Sequence, residues 1–193
     1  AVLSLSDIRL TPHLKKALTP TITAYERGDL HLALSAWPGN ADIESADSKV
    51  FKASLLLAIG AVTEATEILD FVEREQPRHP AVPGLRRLIA LVTGVSWASD
   101  WAPATATEFL VDSLVHQSLS DIDGALRAAN EALHKAPESG ITWARIAELN
   151  FSAGKTTETK IALDKALTLS PGFAPAHAIQ GFVDSDSGRF IEA

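Results

Sequence analysis

The chain contains no cysteine, which excludes a disulfide framework, thiolate metal centres and cysteine catalysis and leaves the redox compartment open. It also lacks concentrated positive charge. Its 17 Lys and Arg include only two adjacent pairs, Lys15-Lys16 and Arg86-Arg87, and its 24 Asp and Glu bring the formal charge to −7. Nucleic acids and anionic membranes attract clustered cations, so neither is an expected partner. No apolar run approaches the roughly 18 residues of a membrane span; the densest window, Leu55 to Val62, is short. No membrane insertion is expected. No apolar region follows a basic start, so no signal peptide is visible. The first residue is Ala rather than Met, which fits a processed or subcloned fragment and leaves open an export signal already removed. What the chain does have is 46% hydrophobic residues among 193, ample for a core and without the bias of a disordered segment.

Residue types return at a constant interval of 34: Ala132 as Ala166, Leu133 as Leu167, Pro137 as Pro171, and the turn residue Ser120 as Gly154 and then Gly188. Spacings of about 20 to 50 residues mean stacked units. Within one unit, Ile146, Leu149 and Ala153 recur at helical steps, as do Leu163, Ala166, Leu167 and Ser170, so each of two short helices, A and B, carries one apolar stripe. Gly154 between them suits a left-handed helix end, and Pro171 cannot easily continue helix B. Ala147 and Ala166 are small enough to let the axes approach. Such a hairpin buries one face of each helix and leaves another for the next hairpin.

The run from Trp143 through Ala147, Phe151 and Gly154 to Ile161, Ala166 and Pro171 resembles a tetratricopeptide repeat, with an early aromatic, small residues at the crossing, a turn Gly and a closing Pro. The resemblance implies an all-α, right-handed αα-hairpin solenoid of five to six repeats, one degenerate, and a generic protein-binding role. The stretch Trp97 to Glu108 is also similar to a segment leading into the repeats of large bacterial envelope proteins that carry a FecR-type domain. That resemblance implies a bacterial, periplasmic or cell-envelope setting.

Taken in order, residues 1–11 read as an N-terminal arm or linker, and 12–193 as the solenoid. Its units are about 12–40, 46–79, a degenerate 80–105, 106–139, 140–173 and a truncated 174–193. Pro12 suits a first helical turn, whereas Pro20 should kink the helix that follows. From Pro77 to the next closing Pro137 is 60 residues, one period of 34 plus 26, so one unit has lost about eight residues. Its helix A survives as Val82 to Val92. Its helix B is replaced by a loop carrying Trp97 and Trp101, which are expected to plug the gap, with a ligand-stacking platform as the alternative. The last helix B stops at Ala193, so its apolar edge should be covered by more chain, by another molecule or by self-association.

Motifs for chemistry are incomplete. Ala153-Gly154-Lys155-Thr156 has the tail of a phosphate loop without its opening Gly or strand, and Gly94 to Ala98 touches a nucleophile-elbow pattern without the α/β text. Asp184 to Gly188 resembles a calcium loop with Gly one position early and no closing Glu. The six His show no ligand spacing, the Asn150-Phe-Ser152 triplet falls inside helix A, and Asp121 with Asp123 reads as capping rather than acid–base machinery. No cofactor, metal or catalysis is expected.

The resemblance places the ligand-facing surface on the concave side, formed by A helices. Its register implies Val50, Ser54 and Leu57; Leu110, Leu114 and Gln117; Ala144, Glu148 and Phe151; and Ala178, Phe182 and Ser185. Where related grooves hold a C-terminal carboxylate with Lys, Asn and Arg, this chain has Leu110, Val111 and Leu114, then Ala144, Arg145 and Glu148. The expected ligand is therefore a peptide or helix with apolar anchors, or another part of the same protein. The alternative is a spacer or oligomerisation module.

Overall fold

A computed structural model describes residues 2–39, 43–96 and 101–186. Among them there are helices and no strands. A 3₁₀ turn at Leu5–Asp7 is followed by α1 (Pro12–Ala17), α2 (Thr19–Glu26), α3 (Leu30–Ser35), α4 (Ala46–Ala58), α5 (Val62–Glu75) and α6 (Val82–Thr93). Then come α7 (Ala106–Ser118), α8 (Ile122–Lys135), α9 (Gly140–Ser152), α10 (Thr156–Leu169) and α11 (Ala174–Asp186). Hairpins α2–α3, α4–α5, α7–α8 and α9–α10 pack within themselves, and α8 on α9, α10 on α11 and α3 on α4 carry the stack onward.

The helix ends follow from local chemistry. Thr105 and Glu108 form a capping box at the start of α7, and Ser45 with Ser48 does the same for α4. Asp121 accepts the Gly124 N–H at 2.8 Å. That backbone bond and the neighbouring His116 hold its carboxyl below the usual range. The A-to-B turns take positive φ at Gly28, Gly60, Gly94, Ser120 and Gly154, spaced 32, 34, 26 and 34 residues apart. The short interval marks the degenerate unit: α6 ends at Gly94, no helix follows before α7 among the described residues, and α6 packs directly on α7. Of the expected Trp plugs, Trp97 lies outside the described residues. Trp101 is half-buried, with the Arg87 guanidinium 4.6 Å from its ring centroid, and Arg87 reaches across to Asp112 on α7 at 3.6 Å.

Small residues line the crossings: Ala125, Ala129, Ala132, Ala147 and Ala166 are all fully buried, which lets the axes of facing helices come close. Larger side chains fill the space between layers. Phe51 meets the Tyr25 and Trp37 rings edge-on at 5.2 and 5.8 Å. The kink expected at Pro20 is instead a break at Leu18, which separates α1 from α2 and leaves Pro20 in the first turn of α2. There its missing N–H would have had no helical partner. The expected closing stretch 187–193, with Gly188 and the start of a helix B, lies outside the described residues.

The stack also closes on itself. The turn after α2 meets the loop after α10: Ser170 Oγ donates to Glu26 O at 2.6 Å, and Gly172 N–H donates to Arg27 O at 2.7 Å. Phe173 lies so near Gly28 that a Cβ there would fall 2.6 Å from the Phe173 Cβ.

Candidate interaction groove

Counting back six residues from each turn residue from Gly60 onward gives Ser54, Leu88, Leu114 and Glu148, whereas the same count from Gly28 gives Ile22, which lines a separate hollow. Equal position in successive A helices should mean equal position in space, and these four side chains line one hollow of about 300 Å³. Its walls also include Leu57, Leu110 and Ala144, with Val92 from α6, Ile141 from α9 and Phe173, Pro175 and Ile179 beyond α10. The lining is mostly aliphatic.

One polar rung crosses the wall. Arg145, 7% exposed, donates through Nε to Ser113 Oγ and through Nη2 to Ser113 O, both at 3.0 Å. Its Nη1 donates to Gln117 Oε1 at 2.7 Å and Glu148 Oε2 at 2.9 Å, and Gln117 Nε2 donates to Glu148 Oε1 at 3.1 Å. Arg145 is thus held by four bonds and orients Glu148. Buried polar groups so satisfied fix local geometry, and the face left to a ligand is a carboxylate in an apolar wall, not a free cation.

The positions expected from the register separate into groups. Ser54, Leu57, Leu110, Leu114, Ala144 and Glu148 line the hollow, and Gln117 belongs to the rung beside it. Val50 is completely buried, so it cannot touch a ligand; its side chain packs in the core of α4. Phe151 and Phe182 stack on each other across α9 and α11 with centroids 6.1 Å apart, at 39% and 62% exposure, away from the hollow's lining. Ala178 and Ser185 are exposed and also outside it. Leu88 and Val92 fall outside the register set expected from the sequence because their unit has no helix B among the described residues, although counting from Gly94 reaches Leu88. Ile141, Phe173 and Ile179 fall outside it too, because their approach depends on how later layers curl.

The N-terminal residues reach the same place. Val2 lines the hollow, and Leu3, 3% exposed, lines a second hollow of about 500 Å³. Ser4 N–H donates to Thr107 Oγ1 at 2.9 Å, the Asp7 carboxylate accepts Thr107 N–H at 2.7 Å, and the Tyr25 hydroxyl donates to Leu3 O at 2.6 Å. Burial pushes the Tyr25 phenol up, so it stays a donor.

No family model and no curated protein matches this chain. Solved structures do. A thermophilic tetratricopeptide-repeat protein of Thermus thermophilus, TTC0263, overlays with a TM-score of 0.59 at 19% identity, covering 89% of this chain and 97% of its own. A tetratricopeptide-repeat protein from Parabacteroides merdae overlays at 0.55 with 14% identity, covering 94% and 90%. The fold is therefore that of an all-α tetratricopeptide-type solenoid. No helix among the described residues is long and apolar enough to cross a membrane.

Proposed function

We propose that this chain is a non-catalytic interaction scaffold whose concave hollow takes an apolar helix or extended peptide from a protein partner. The carrying observation is that register-equivalent side chains of four successive A helices, Ser54, Leu88, Leu114 and Glu148, line a single hollow. At about 300 Å³ it lies at the small end of ligand sites, which run from about 300 to 1,000 Å³. That suits one or two anchoring side chains of a longer segment. Glu148 favours a donor beside the anchor and disfavours a carboxylate, the opposite of a clamp for a C-terminus. Displayed 12-residue peptides selected on the immobilised chain should carry Leu or Phe anchors. Leu57→Asp and Leu114→Asp, with unchanged helical circular dichroism, should each weaken them at least tenfold. Binders indifferent to both substitutions would remove the groove.

A second reading, a spacer or oligomerisation module of a larger bacterial envelope protein, is supported by the exposed Phe151–Phe182 stack on the α9–α11 flank. Light scattering after size exclusion tests its oligomerisation form: a dimer dispersed by Phe182→Asp favours it, and a monomer at all concentrations removes it.

A further inference from the structure

We infer that Val2–Asp7 is an internal ligand, a displaceable segment seated where a partner segment of the same chemistry would bind: an apolar residue, then Leu, then a carboxylate four positions beyond that Leu. The inference rests on the groove reading and names its regulation. Val2 belongs to the first hollow and Leu3 to the second, while Ile141 lines both, so these two arm residues are part of the partition between the hollows. Withdrawing them would join the hollows into one trough. Each anchor is one that a separate peptide can reproduce. Leu3 is buried as a side chain, its carbonyl accepts from Tyr25, and the Ser4 amide donates to Thr107. The Asp7 carboxylate sits on an N–H in the first turn of α7, where backbone donors lack helical partners and negative charge is favoured. The arm contains only one 3₁₀ turn, so releasing it breaks no helix or sheet ladder. α7 keeps its own Thr105–Glu108 capping box when the arm leaves.

A tethered segment acts at an effective concentration of order millimolar, so a free peptide of equal chemistry competes poorly until the tethered copy is weakened. The test uses the full chain and a fluorescein-labelled peptide of residues 1–8, Ala-Val-Leu-Ser-Leu-Ser-Asp-Ile, read by anisotropy. Leu3→Ala in the chain should tighten peptide binding at least tenfold, and Asp7→Asn in the peptide should weaken it severalfold. Equal binding by the unaltered and Leu3→Ala chains would overturn the inference, as would no binding by either. A Leu3→Ala chain that fails to fold would also overturn it, by showing the arm to be core. Hydrogen exchange on the unaltered chain is an independent readout. The Ser4 and Thr107 amides should exchange at least tenfold faster than those of Ile146 to Leu149, and equal protection counts against the inference. Groove-selected peptides that lose binding to Leu114→Asp yet bind the Leu3→Ala and unaltered chains alike would sink the inference alone and leave the groove standing.

Discussion

Ser120 holds φ at 62°, a left-handed value that neighbouring layers assign to glycine, with 84° at Gly28 and Gly60 and 71° at Gly94 and Gly154. A side chain in that region costs of order 1 kcal/mol, against which glycine loses some chain entropy. Ser120→Gly is therefore expected to stabilise the chain by about 0.5–1 kcal/mol, read as a higher midpoint in urea at constant slope. The turns at Ser120 and Gly154 were legible from the 34-residue interval, because a turn residue is set by its own backbone. The role of Arg145 was not. Its position in helix A could be counted, but its partners Ser113 and Gln117 lie about thirty residues back, on the neighbouring layer, and no local pattern in the sequence encodes which rotamer crosses to them.

At the scale of helices, the small residues decide how near the layers come. Ala147 on α9 is fully buried in the hairpin with α10. Ala147→Leu is expected to overpack that crossing and cost about 1–3 kcal/mol, seen as a lower melting temperature with helical content retained. The pairs α4–α5, α7–α8 and α9–α10 were readable because helical periodicity, caps and turn residues all agree there. The first unit was less so. Its helix divides at Leu18 because Pro20 starts a new turn more easily than it sits inside one. The degenerate unit showed its missing length in the spacing, but the direct packing of α6 on α7 depends on which faces remain when helix B is gone. That same gap hid Leu88 from the groove register.

At the scale of the molecule, the contact between the α2 turn and the loop after α10 joins residues 144 apart in the chain, Glu26 and Ser170. A repeat-by-repeat pattern encodes only nearest-neighbour contacts, so this contact leaves no signal in the 34-residue interval. Gly28 combines φ of 84° with a clash distance of 2.6 Å to Phe173. Gly28→Ala is therefore expected to cost about 2–4 kcal/mol from strain and displaced packing, measured by denaturation beside Gly60→Ala. Gly60 has the same φ but open space around it, so the difference between the two substitutions isolates the contact.

A row of stacked hairpins normally melts like a zipper, from whichever end is loose. Here the turn at Gly28 and the loop at Phe173 act as a buckle that makes the row a belt, so hairpins between them have no loose end from which to peel. Heating should leave α4 to α9 intact until the buckle parts, and then release them together rather than one after another.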